Sequence, residues 1–421
     1  MIPIRRMVLY LPFTIFLFAS YIGAELNGAG QNDVYGGSGP LADPAQGQPK
    51  DSMAFKIIKG SVPMNAVTFH CVGIFEPSFC KVSSVISDEL AVNELAFLRK
   101  RPTVYHKEDP ITRDKTPIPS SEPTDRRKFI TDVRSVWITE ETIVAIKKLG
   151  FNSMKLSFGY WVVDTKSGFS SPQEFVDNVM KWASLYDLGV FLAFAAAPGC
   201  QNLHPITNCE STVPEWQNEF NRKQSIEVIK KVTGVYKKYT SFMAIGLLHE
   251  PSTEGINNEI LALYYTEAIR ALQDLKFGGL VMINPLVEKR FDSADIKFWC
   301  GFVAKQPFVW VAISSYLYWD ALDTEEQLTK EIFRRASFFR DNKACHIFVD
   351  EWSVALKPNL SKDKLQALAA NQLSAYSEAS KGMIYGPFRT TTDKKDTALF
   401  SYESAVAQGI LRKNAKMVVR A

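Results

Sequence analysis

Eight short apolar runs, at 66–75, 153–158, 190–195, 243–248, 280–284, 309–313, 347–350 and 382–386, recur along this chain with longer stretches of helical periodicity between them. The helical stretches fall at 139–149, 171–188, 219–239, 258–275 and 362–378; the first opens on Thr139 as an N-cap and closes before Gly150. Strand and helix in alternation predict parallel strands, either closed into a barrel or spread as a doubly wound sheet. Eight is the strand number of the (β/α)8 TIM barrel, and no Gly-rich dinucleotide loop favours the open sheet. With 421 residues, 46% of them hydrophobic and 12% aromatic, the chain can bury one large core. The expected fold is therefore a single-domain α/β barrel over 53–421.

The remaining segments are expected to lie outside that core. Arg5 and Arg6 precede the apolar run 7–19 and the small residues around 20–24, the order of a secretory signal, so 1–24 reads as a removable signal peptide and the protein as exported. The run is broken by Pro12 and is shorter than the ~20 apolar residues of a spanning helix, which argues against a membrane anchor. No transmembrane segment is expected in the mature chain. Positions 25–52, rich in Gly, Pro, Gln, Asn and Ala, read as a disordered tail. Positions 105–128, with Pro110, Pro117, Pro119 and Pro123, read as a long surface insertion.

A formal charge of +4 argues against a nucleic-acid partner. Six cysteines fit an oxidising compartment, and their spacing suggests Cys71 with Cys80, Cys200 with Cys209 and Cys300 with Cys345, although sequence does not choose among connectivities. No Cys-x-x-Cys or His-x-x-x-His pattern points to a metal, and no cofactor is expected. Asn359-Leu360-Ser361 is a glycosylation sequon, hence a surface loop.

The chemistry lies in two glutamates. Glu250 ends the run Phe242-Met243-Ala244-Ile245-Gly246-Leu247-Leu248-His249 and is followed by Pro251; Glu351 ends His346-Ile347-Phe348-Val349-Asp350 and is followed by Trp352. The C-terminal ends of barrel strands converge on one face, so two carboxylates far apart in sequence can meet across a pocket there. A pair of that kind suits glycoside hydrolysis, with one acid/base and one nucleophile. Either glutamate by itself could simply cap a strand end.

Six motifs stand in order along the chain: Phe75-Glu76-Pro77, Trp137-Ile138-Thr139-Glu140, Gly159-Tyr160-Trp161, Ala197-Pro198-Gly199-Cys200-Gln201-Asn202, Glu250-Pro251 and Glu351-Trp352-Ser353. As an ordered set they resemble the exo-β-1,3-glucanase branch of glycoside hydrolase family 5. The resemblance implies that Glu250 is the acid/base and Glu351 the nucleophile of a retaining reaction, needing neither metal nor organic cofactor. It further implies that Glu76 binds hydroxyls of the terminal sugar and that the Tyr316 hydroxyl contacts the nucleophile. Phe388 stands where the family has a tryptophan and, with Trp161 and Trp319, could offer a ring face to a sugar.

Departures from the family pattern are as specific as the matches. Its Asn-Glu-Pro is His249-Glu250-Pro251, its nucleophile-orienting arginine is Lys155, and its Asp-Leu-His-Gly-Ala-Pro-Gly is Ala193-Phe194-Ala195-Ala196-Ala197-Pro198-Gly199. Its His-x-Tyr is Ser314-Ser315-Tyr316, and its His-Asp after the fifth strand is Asn284-Pro285. Lys155 keeps the charge but not the planar fork of arginine, and His249 is placed to substitute for the asparagine's hydrogen bond to the sugar 2-hydroxyl. Three readings follow: a secreted, wall-associated glycosidase, monomeric, that acts on β-1,3-linked glucan or a related carbohydrate polymer through Glu250 and Glu351; a sugar-binding pseudoenzyme; and a wall or matrix component that uses the barrel as a scaffold.

Overall fold

All eight strands expected from the apolar runs form, and they close on one another. In chain order they are β1 (Met64–Gly73), β2 (Ser153–Gly159), β3 (Gly189–Ala196), β4 (Phe242–Gly246), β5 (Leu280–Ile283), β6 (Val309–Ser314), β7 (Ile347–Trp352) and β8 (Gly382–Tyr385). Each pairs in parallel with its sequence neighbours, and β8 pairs with β1 to close the barrel. The computed structural model describes residues 45, 47–76, 94, 105–108, 115–118, 123–163, 169–390 and 398–412, all within the unit spanning 39–421.

Ten helices accompany the strands among the described residues: α1 (Met53–Ile58), α2 (Pro123–Trp137), α3 (Glu140–Lys148), α4 (Gln173–Leu185), α5 (Glu219–Tyr236), α6 (Asn258–Asp274), α7 (Ser293–Val303), α8 (Glu325–Asp341), α9 (Lys362–Tyr376) and α10 (Tyr402–Ala407). Thr139 is the N-cap of α3, and five helices fall where the periodicity places them. Among the described residues no helix is long and apolar enough to cross a membrane.

The barrel interior is layered because strand side chains alternate. Its lower end is apolar, built from Ala66, Phe191, Ala244, Leu280, Trp310, Phe348 and Ile384. Helix α1 plugs that end with Ala54, Ile57 and Ile58. Ala45, inside the expected tail, is buried in the same cluster, its N–H donating to the Gly278 carbonyl at 2.6 Å, and Gln48 donates to the Phe242 carbonyl. The end of the tail is therefore packed, because an open barrel bottom exposes apolar side chains that a short segment can cover. Residues 1–44, including the expected signal, lie outside the described residues.

The expected insertion contains regular structure. Tyr105–Glu108 and Lys115–Ile118 form an antiparallel pair, and α2 begins at Pro123, where proline's fixed φ and missing N–H suit a first turn. Cys200 is bonded to Cys209 and Cys300 to Cys345, while Cys71 is disulfide-bonded to a partner outside the described residues, where Cys80 lies. Asn359 is exposed in the loop before α9.

Cys300 sits on α7 and Cys345 just before β7, so their bond ties the outer layer to the strand that carries Glu351. Replacing both by serine is expected to lower the unfolding free energy by about 3–4 kcal/mol, the loop-closure contribution for a span of this size, measured by denaturant titration. An unchanged midpoint contradicts it.

Candidate active site

At the upper end of the barrel the inward positions become polar, and they meet on Lys155. This side chain on β2 is fully buried, its ammonium 5.6 Å above the Phe191 ring. Its Nζ lies 2.8 Å from Oδ1 of Asp350 and 3.1 Å from Oε1 of Glu351. Adjacent residues on a strand normally point to opposite faces. Here β7 carries one extra residue: Val349 pairs with Ile313 but Glu351 with Ser314, and on the other side Val349 pairs with Met383 but Trp352 with Tyr385. The resulting bulge at Asp350 turns both carboxylates toward Lys155.

Glu351 is held from several strands. Thr68 on β1 donates its hydroxyl to Oε1 at 2.9 Å, and Tyr316, beyond β6, donates to Oε2 at 3.1 Å. Burial pushes the Glu351 carboxyl up, but Lys155, His249 and His70 outweigh it and hold the group below its ordinary value. Asp350 is also depressed: against burial, Lys155 and His249 favour its anion. Lys155 is raised, since its two carboxylates overcome its burial. The Tyr316 phenol is pushed well up by burial and by Glu351 and Glu250, so it stays a neutral donor. Gly386 leaves room for this set, because a Cβ there would come within 2.8 Å of the Tyr316 hydroxyl and 3.2 Å of Thr68 Oγ1.

Glu250 lies in the loop beyond β4, its side chain 24% exposed against 6% for Glu351. Its φ of 48° is the left-handed region, which costs a residue with a Cβ about 1–2 kcal/mol. The motif after β3 supports this conformation. Asn202 donates to the Glu250 carbonyl at 2.7 Å, and Gln201 donates to the carbonyls of both Ala195 and His249. The Cys200–Cys209 bond closes the same loop.

The other expected site residues are placed as follows. His249 is buried, with Nδ1 3.2 Å from Oδ2 of Asp350 and Nε2 3.9 Å from Oε2 of Glu250. Burial and Lys155 lower its pKa, but Glu250 and Asp350 raise it more. Glu76 is buried with Oε1 2.5 Å from Nδ1 of His70, and this contact raises His70 despite burial. Phe388 is fully buried, stacked on Phe69 at 5.7 Å and on Tyr402 at 6.2 Å, so neither ring face is open to a sugar in this conformation. Trp161 is fully buried against Phe169, whereas Trp319 is 59% exposed.

Sequence reasoning missed Asp350, Thr68 and Glu94, and marked Asn284 only as a departure from the family's His-Asp. Asn284 donates to Asp350 Oδ2 at 3.4 Å and to the Ala312 carbonyl. Glu94 accepts from the Phe75 N–H and from Arg134 in a buried pair next to Glu76. For Asp350 the available signal was a charged residue two positions after inward-facing Phe348; the others carry no local pattern.

The chain is similar to known proteins in sequence and in fold. No protein-family model matches the chain. Over 304 residues it is 23% identical to the probable glucan endo-1,6-beta-glucosidase B of Aspergillus terreus, covering 65% of this chain and 72% of that protein. It is 29% identical over 136 residues to a glucan 1,3-beta-glucosidase of Blumeria graminis, about a third of either chain (31% and 32%). A glucan 1,3-beta-glucosidase of Pichia angusta matches at 23% over 246 residues, 55% of each. Among solved structures, rutinosidase from Aspergillus niger superposes with a TM-score of 0.64 at 15% identity over 83% of this chain and 98% of its own, a likeness of fold.

Two stability predictions follow from the buried charges. Lys155→Met leaves two buried carboxylates without their cation and should cost about 3–5 kcal/mol by urea unfolding, with Lys155→Arg retaining much of it. Asp350 and Glu351 bind fewer protons folded than unfolded, so the stability they contribute is complete above about pH 5 and is lost as pH falls through their depressed folded values. Melting temperature followed from pH 7 to pH 3 should drop, and Asp350→Asn should flatten that drop; equal slopes contradict it. By its ordered motifs, its curated relatives and its barrel, the chain resembles the exo-β-1,3-glucanase branch of glycoside hydrolase family 5.

Proposed function

We propose that this protein is an exported retaining β-glycosidase that cleaves β-1,3-glucan or a related β-glucan at the wall, releasing glucose. The supporting observation is the difference between the two glutamates. Glu351 is buried, accepts from Thr68 and Tyr316, and is held ionised beside Lys155, as suits a nucleophile. Glu250 is the more exposed carboxylate, on a strained backbone fixed by Asn202, where a substrate oxygen and water can both come within hydrogen-bond reach of it.

In the first step Glu351 attacks the anomeric carbon while Glu250 gives its proton to the departing glycosidic oxygen, leaving a glycosyl-enzyme ester. In the second step Glu250 takes a proton from water, the water oxygen bonds to the anomeric carbon, and the Glu351 carboxylate leaves. Lys155 and Tyr316 stabilise the carboxylate in both the free and the departing state. The glucan relatives support the substrate class, and the disulfides fit an exported protein.

One observation favours a second reading, glucan binding without turnover. Ala193 and Ala195 are buried where the family has an aspartate and a histidine, so those two positions offer no side-chain hydrogen bonds. Laminarin incubated with the chain from Glu25 onward separates the two. Glucose release that falls at least about a thousandfold in Glu351→Gln, the loss of ~4 kcal/mol of transition-state stabilisation, supports the enzyme. Retention of laminarin with no release from the parent overturns it in favour of the binder.

A further inference from the structure

We propose that Asp350 is a positioning residue that fixes the ring of His249, holding a proton on Nδ1 and turning Nε2 toward Glu250, so that the group offered beside the acid/base is a proton-controlled donor or acceptor. This deepens the glycosidase reading and rests on it for the role given to Glu250.

The geometry is specific. Asp350 reaches the pocket through the bulge in β7, and its two oxygens have different duties. Oδ1 accepts from Lys155 at 2.8 Å; Oδ2 faces His249 Nδ1 at 3.2 Å and Asn284 Nδ2 at 3.4 Å. One buried carboxylate thus joins β2, β7 and the loops beyond β4 and β5. The His249 contact lacks the alignment of a hydrogen bond, so its strength is electrostatic: the carboxylate faces a cation when the ring is protonated and the positive end of an N–H dipole when it is neutral. The backbone of His249 is pinned on both sides, its N–H donating to the Phe194 carbonyl at 2.8 Å and its carbonyl accepting from Gln201 at 3.0 Å. The ring therefore has little freedom to turn away.

The chemistry follows from what an imidazole can do that an amide cannot. An ionised carboxylate only accepts, so a proton on the facing nitrogen is favoured whether the ring is neutral or charged. With Nδ1 occupied, Nε2 donates when His249 is protonated and accepts when it is neutral. Nε2 and Glu250 Oε2 stand 3.9 Å apart, too far for a direct hydrogen bond and close enough for one sugar hydroxyl, about 2.8 Å from each, to bridge them. An asparagine in this place would present the same polarity at every pH. The charged groups facing His249 are Lys155 from β2, Glu250 from its own loop, and Asp350 and Glu351 from β7. Lys155 opposes protonation and the three carboxylates favour it.

The test is a nitrogen-15 NMR titration of histidine-labelled full-length mature protein. The chain has five histidines, and His249→Asn identifies the His249 signals by deleting them. In the unmodified protein, above the midpoint, the nitrogen shifts should report the Nδ1–H tautomer, the minority form in free histidine; the Nε2–H tautomer overturns the proposal without any variant. In Asp350→Asn the midpoint should fall by about one unit or more, and in Asp350→Glu it should stay close to the parent value. A midpoint unmoved by Asp350→Asn in a folded protein also overturns it. Neither reading depends on hydrolysis. A protein that releases glucose yet shows the Nε2–H form keeps the glycosidase reading and loses this one, while a silent protein with the Nδ1–H form does the reverse.

Discussion

A buried lysine ammonium between two carboxylates is the interaction on which the rest of the site depends. Lys155 by itself would pay several kcal/mol in lost hydration, and Asp350 and Glu351 side by side without it would not both stay ionised. Together they form a compact set in which each charge justifies the others, provided that the backbone brings all three to one point. Period-two alternation forbids that for neighbouring residues, and the extra residue in β7 supplies the exception. Closure of the barrel then places Thr68, from the first strand, against Glu351 on the seventh.

The Glu250 side is built by other means. Glu250 is not on a strand but in a left-handed turn beyond β4, and the loop after β3 holds it through backbone contacts from Gln201 and Asn202. Strain at such a position persists only where neighbours over-determine it. The chemical contrast between the two glutamates therefore has a structural origin: one is locked by side-chain donors in the barrel, and the other is presented on a braced loop near solvent.

Much of this was legible in the sequence because the features involved are periodic or local. The eight apolar runs became the eight strands, and Thr139 and Gly150 bracket the helix they mark. Helix α1, at six residues, is too short for periodicity to show and exists because it covers the barrel floor. The prolines of the 105–128 stretch mark a long insertion in sequence without showing its internal structure, where Pro117 sits in a two-stranded pair and Pro123 opens a helix. The burial of Phe388 between Phe69 and Tyr402, and the bulge that brings Glu351 inward beside Asp350, depend on residues distant in sequence, so no local pattern announces them.

The replacements at Lys155 and His249 read in sequence as losses from a familiar pocket. In the structure both are linked to Asp350, so the two replacements belong to one charge network. Whether that network supports double displacement is decided most directly by proton NMR of the sugar first released from laminarin, before mutarotation. Two inversions at the anomeric carbon predict β-glucose as the initial product. Initial α-glucose, or no glucose at all, would contradict the account.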